Sequence, residues 1–163
     1  MSLVDCQWVL LNCGMSEQNR IVSANRRIAA PAKVIFELIA DPARQPEWDG
    51  NDNLAQAAAD QRVHAVGDVF TTTLTLGADR ENHVVEFDEG RLIAWRPAPP
   101  GETPPGHLWR WQLDAIDDRT TDVTHTYDYT DLRDPERLPR AQATTADKLQ
   151  ASVDRLAALA ERD

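Results

Sequence analysis

Lysine is nearly missing from this chain. Lys33 and Lys148 are the only two, and the arginines are scattered. Against 17 basic residues stand 27 acidic ones, for a net charge of −10. Nucleic-acid binding needs clustered basic side chains on phosphates, so no nucleic-acid partner is expected. The same sign argues against an anionic membrane surface, and the acidic excess reads as a solubility device. Cysteine is equally scarce: Cys6 and Cys13 share one N-terminal stretch, at a spacing that matches no common zinc or redox pattern. Two free thiols in a reducing cytoplasm are the expectation. Long hydrophobic runs are lacking too. No stretch approaches the roughly 20 apolar residues of a membrane span. No basic segment precedes the short apolar run 9–11, as a secretory signal requires. No membrane insertion and a cytoplasmic location follow as expectations.

Chemistry-bearing motifs are few. His64, His83, His107 and His125 show no pairing at metal-ligand spacing, so no metal is expected. The carboxylate clusters Asp49/Asp52, Asp88/Glu89 and Asp117/Asp118 all fall in predicted turns, where turn chemistry accounts for them. A Gly-rich phosphate loop and a serine nucleophile elbow are both lacking. Covalent catalysis and nucleotide hydrolysis therefore have no support, and no cofactor is expected.

What the chain does have is a clear order of elements. Its 163 residues are the size of one domain and can form a core without staples. Residues 1–15 differ in character and read as an extension, which leaves a single domain over 16–163. Residues 20–29 hold Ile21, Val22 and Ile28 and read as the first strand. Pro31 suits a first helical turn, and Val34, Ile35, Leu38 and Ile39 then mark one helical face. Asp41-Pro42 ends that helix, and Pro42 opens a short second one reaching Trp48. The alanine-rich stretch 54–60 is ambiguous and leans towards strand. Clearer strands follow over 69–76, 80–87, 92–96, 108–116 and 123–129, separated by turn residues. The Pro- and Gly-rich stretch 97–106 is too long for a simple hairpin turn. Residues 141–161 read as one long helix, with Leu149, Val153, Leu156 and Ala160 in a single stripe. Consecutive strands with short turns make an antiparallel sheet, and only the last helix is long enough to cover its inner face.

Three stretches carry a family resemblance. They are APAKVIFELIADPARQPEW at residues 30–48, VVEFDEGRLIAWR at 84–96, and HLWRWQLDAI at 107–116 with VTHTYDY at 123–129. In this order they resemble the polyketide cyclase/dehydrase branch of the START-like, or SRPBCC, superfamily over residues 21–160. The resemblance implies an α+β helix-grip fold. A curved antiparallel sheet of six to seven strands would wrap around the C-terminal helix, with two short helices after strand one. It further implies a deep apolar cavity. Relatives there bind lipids, polyketides or sterols, and some cyclise polyketide chains. Fold alone does not fix which.

Strand alternation names the cavity lining. In 108–116 the inward set is Trp109, Trp111, Leu113 and Ala115, and in 123–129 it is Val123, His125, Tyr127 and Tyr129. Phe70, Thr72, Leu74 and Leu76 share a third face, Val85 and Phe87 a fourth, and Ile93 and Trp95 a fifth. Arg96 and Arg110 point outward. The candidate ligand-binding set is therefore Phe70, Leu74, Phe87, Trp95, Trp109, Trp111, His125, Tyr127, Tyr129, Leu149 and Val153. Its rings would supply contact area, while His125, Tyr127 and Tyr129 would orient a polar end. These same three are the candidates for catalysis if the protein is a cofactor-independent cyclase or dehydratase, His125 moving a proton. A third reading, a protein-interaction module, calls for a filled interior. The leading expectation is a small hydrophobic molecule held in an internal cavity. Oligomeric state is not encoded in any pattern of the chain.

Overall fold

A computed structural model describes residues 20–162. The predicted N-terminal extension and both cysteines lie outside the described residues. Seven strands form one antiparallel sheet: β1 (Ile21–Ile28), β2 (Leu54–Gln56), β3 (Val69–Leu74), β4 (Asp79–Asp88), β5 (Leu92–Ala98), β6 (Leu108–Asp117) and β7 (Thr120–Asp128). Their spatial order is β1-β7-β6-β5-β4-β3-β2. Every step is a hairpin except the return that places β1 beside β7. The sheet is open and curved. The helices are α1 (Ala32–Ala40), α2 (Gln45–Trp48), α3 (Leu138–Gln142) and α4 (Ala146–Ala160), with a 3-10 turn at Pro42–Arg44 between the first two.

Local chemistry explains the boundaries. Asp41 leaves the helical region ahead of Pro42, and its carboxylate accepts a hydrogen bond from the Ala43 N–H, which starts the 3-10 turn. The final helical stretch, predicted as continuous over 141–161, is broken. Thr145 is extended, at φ −94° and ψ 163°, and so restarts the chain as the N-cap of α4. The predicted stripe on α4 holds: Leu149, Val153, Leu156 and Ala160 are all buried. This helix packs mainly on β1, and its flank meets α2. Gly50 sets that second approach. A Cβ there would lie 2.5 Å from the Lys148 carbonyl oxygen and from the Ser152 nitrogen, so only glycine lets the loop touch the helix backbone.

Register lines up the core in rows across the sheet. Ala24 faces His125, His125 faces Trp111, Trp111 faces Ile93, and Ile93 faces Phe87. A parallel row runs Val22, Tyr127, Trp109, Trp95, Val84. Cross-strand neighbours on one face sit close enough to pack ring on ring.

Four sequence assignments are corrected. The stretch 54–60 is strand only to Gln56 and then leaves the sheet. Leu76 lies past the end of β3 and is 65% exposed. Ala115 is exposed, since β6 extends beyond the covered area. The fourth correction has the largest consequence. A β-bulge in β4 places Val84 opposite Trp95 but Glu86 opposite Ala94. Its extra residue reverses the facing of the side chains on either side. Val85 therefore points out, while Val84 and Asn82 point in. Phe87 does face the core, packed edge-on against Phe36.

Candidate ligand cavity

Behind the concave face of β3 to β7 lies a cavity of about 110 Å3, measured as space open to the centre of a water molecule. Its far walls come from α2 and the loop after it, from Ser152 of α4 and from Arg140 of α3. Tryptophan dominates the lining: Trp48, Trp95, Trp109 and Trp111 all contribute. Trp48 is buried in the wall, tied by its Nε1–H to the Leu38 carbonyl at 2.8 Å and packed edge-on against Trp111 at 5.1 Å.

Five of the sequence-predicted site residues meet at this cavity: Leu74, Trp95, Trp109, Trp111 and His125. Tyr127 lines an adjoining recess of about 90 Å3 that shares Trp109 as a wall. The other five are core residues that touch neither space. Phe70 packs edge-on against Trp95 and so sits behind the lining. Phe87 is held by Phe36 on the far side of the bulge. Tyr129 follows β7 and packs on Tyr127. Leu149 and Val153 belong to the buried face of α4, whose only residue at the cavity is Ser152. An α-helix that packs flat against β1 fills the space beneath it with its own side chains.

The centre of the wall is a stack of rings. His125 lies 3.7 Å from Trp111, centroid to centroid, with 13° between the planes, and 5.5 Å from Trp109 at 15°. The Arg110 carbonyl lies 3.0 Å from His125 Nδ1. A carbonyl can only accept, so Nδ1 carries the proton and Nε2 carries the lone pair. Burial pushes the His125 pKa down to about 3, with the Arg110 carbonyl opposing weakly. At neutral pH this ring is an uncharged hydrogen-bond acceptor. Trp111 is the complementary group. It is fully buried, and its Nε1–H has no hydrogen-bond partner among the described residues. An orphaned buried donor costs about 1–3 kcal/mol. Other atoms of the same ring form part of the cavity wall.

Tyr127 offers little as an acid. Burial, reinforced by Tyr129, pushes its hydroxyl up to about 12. Asp49 also reaches the cavity, but its carboxylate is consumed by the turn. It accepts from the backbone N–H groups of Asn51, Asn53 and Leu54 and from the Asn51 side chain. Asn82 donates to the Phe70 carbonyl and to the Thr72 hydroxyl, which fixes the β3–β4 wall. Arg96 and Arg110 face outward in ion pairs with Asp131 and Glu86. Sequence reasoning missed Trp48, Asn82, Arg80 and Arg140, and it set Thr72 on the inward face without including it in the binding set. The bulge hid Arg80 and Asn82, because alternation counted back from Val85 selects Glu81 and His83. Among the described residues, no cluster of His, Cys, Asp and Glu is placed to hold a metal ion, and no helix is long and apolar enough to cross a membrane.

Comparison with known proteins agrees with this geometry. The family model described as "Polyketide cyclase / dehydrase and lipid transport" matches residues 20–161. The protein Rv0088 of Mycobacterium tuberculosis is 32% identical over 111 residues, which is 66% of this chain and 47% of that protein. The chain thus spans about half the length of the curated relatives it matches. Among solved structures, protein MLL2253 from Mesorhizobium loti superposes with a TM-score of 0.64 at 16% identity, covering 88% of this chain and 98% of that one. The Zhui aromatase/cyclase from Streptomyces sp. R1128 gives a TM-score of 0.63 at 18% identity, over 88% of this chain and 94% of that one. Identities this low show the shared helix-grip fold. The family match covers nearly every element of the sheet and the helix it grips, so the chain belongs to the polyketide cyclase/dehydrase and lipid transport family.

Proposed function

We propose that this protein binds a small planar molecule, bearing one or two polar oxygens, in the tryptophan-lined cavity. The observation that carries this reading is the pairing of ring faces with two residues that offer polar atoms: Trp111, whose buried Nε1–H has no partner among the described residues, and His125, whose Nδ1 is bonded to the Arg110 carbonyl. Flat aromatic walls favour flat ligands, and few, well-placed polar atoms orient them. Size narrows the class further. Drug-sized ligands occupy pockets of roughly 300–1,000 Å3, while a cavity of about 150 Å3 suffices for benzene. At about 110 Å3 with an adjoining recess of about 90 Å3, this site suits one or two fused rings better than a sterol or a long acyl chain. The broader lipid or sterol expectation is therefore narrowed.

A cyclase or dehydratase role is the second reading, favoured by the family match. It needs a group that exchanges a proton near neutral pH. His125, near 3, is a poor base, and Tyr127, near 12, is a poor acid. Those two shifts favour holding a carbonyl compound over moving its protons. The interaction-module reading calls for a filled interior, and an aromatic-lined cavity counts against it.

The test is a titration of 2-naphthol and of a sterol, followed by quenching of tryptophan fluorescence. Saturable quenching by 2-naphthol is expected, with affinity reduced about tenfold in Trp109→Ala, which removes a half-buried wall. Tighter binding of the sterol, or unchanged affinity in the variant, would overturn the assignment.

A further inference from the structure

Arginines in most of this fold are held by carboxylates. Arg62 pairs with Glu37 and Glu89, Arg110 with Glu86, and Arg155 with Asp52. Two arginines at the cavity differ. Arg80 of β4 and Arg140 of α3 line both the cavity and the adjoining recess. Among the described residues neither has a carboxylate within ion-pair distance. Among the described residues, the Arg80 guanidinium bonds only the carbonyl of its neighbour Asp79, at 2.8 Å. Arg137, which reaches Asp134 at 3.4 Å, lines the same recess.

The three cations repel one another, and the surroundings register it. Arg80 is partly buried, and its pKa is lowered first by that burial, then by Arg140 and Arg137, with Glu102 opposing. His107, in the same recess, is pushed down to about 4 by burial and then by Arg137, Arg140, Arg80 and Arg96. Arg80 is half-buried and Arg140 exposed, and no carboxylate among the described residues offsets the charge of either. An anion bound there would relieve the repulsion and accept charge-assisted hydrogen bonds from planar forks.

Building on the cavity assignment above, we propose that the ligand is an aromatic acid. Its rings lie along the tryptophan wall, and its carboxylate or phosphate is held at the junction of the two recesses by Arg80 and Arg140, with Arg137 behind. The chemistry shared by both heads is a planar or tetrahedral oxyanion at the end of a flat body. Arg140 reaches the cavity from α3, ahead of the break that separates it from α4.

Three probes test the proposal by calorimetric titration at low salt: 2-naphthoate, its neutral analogue 2-naphthamide, and 1-naphthyl phosphate. At least one of the two anions is expected to bind about tenfold or more tightly than the amide, and the tighter of the two assigns the head group. That advantage should shrink towards unity in Arg80→Gln and in Arg140→Gln, and should fall as salt rises. Neither variant removes an ion pair, so neither should lower the melting temperature. Equal affinity of acid, phosphate and amide would overturn the anion assignment and leave the cavity reading intact. Binding of none of the three would overturn both.

Discussion

Trp111→Ala is expected to lower the stability of this domain by about 4 kcal/mol, the range for emptying a large buried ring site. Trp111 is the largest fully buried side chain in the fold. It faces His125 in the next strand at 3.7 Å and meets Trp48 edge-on at 5.1 Å, so its removal uncovers groups on both sides of the core. For a domain of this size, about 4 kcal/mol corresponds to a fall in melting temperature on the order of 10 °C. Trp111→Phe separates packing from polarity. It keeps a ring against His125 but deletes the unpartnered Nε1–H, whose burial is itself unfavourable. The lost volume and the lost penalty oppose each other, so the phenylalanine variant should sit within about 1 kcal/mol of the parent. Thermal or urea denaturation measures both. Equal damage from the two variants would mean that the indole N–H contributes to stability through a bond, contrary to the structure.

Stability should fall steeply on mild acidification, well above the range where carboxylates titrate. His125 and His107 have folded-state pKa values near 3 and near 4, against an ordinary 6.5. Below pH 6.5 the unfolded chain takes up protons on these rings while the folded chain does not. Their contribution is therefore complete above pH 6.5 and is lost as pH falls towards the folded-state values. At about 1.4 kcal/mol per pH unit, His125 forfeits about 2 kcal/mol by pH 5. His107, which keeps some exposure, adds somewhat less, for a total of about 3 kcal/mol. The carboxylates with shifted values, Asp52, Glu89, Asp117 and Asp154, are all displaced downward and so titrate below this window. Urea denaturation at pH 7 and pH 5 reads the difference directly. His125→Gln, which retains a donor for the Arg110 carbonyl, should lose more than half of the pH dependence. Flat stability between these two pH values would contradict the burial assigned to both rings.

Much of the container could be read from the chain, because periodicity and turn residues carry it. Val34 to Ile39, the strand hairpins and the stripe on α4 behave as their spacing dictates. Alternation also found the tryptophan and histidine row, since β6 and β7 pair without interruption from Leu108 to Ala115. It failed where geometry departs from a two-residue period. The bulge at Val84–Glu86 turned Val85 out and brought Arg80 and Asn82 in, and no residue in that stretch announces a bulge. Inward facing alone was also a poor guide to lining. Phe70 and Val153 point inward yet lie behind other side chains, because cavity shape depends on how closely α4 and the loop after α2 approach the sheet. Gly50 governs part of that approach through contacts 102 residues apart in the chain, such as its N–H on the Ser152 hydroxyl at 2.8 Å. Arg140 escaped notice too: it sits on α3, a short helix separate from α4 that the sequence reading did not resolve.

A planar ligand bound as proposed sits against Trp111 and His125 and satisfies the orphaned indole donor. The most direct measurement is the indole region of a proton–nitrogen correlation spectrum during titration with 2-naphthol. The Trp111 Nε1–H resonance should move progressively and saturate, as its proton gains an acceptor. The Trp48 resonance, already bonded to the Leu38 carbonyl, should move less. A Trp111 resonance that stays in place at saturating ligand would contradict the account.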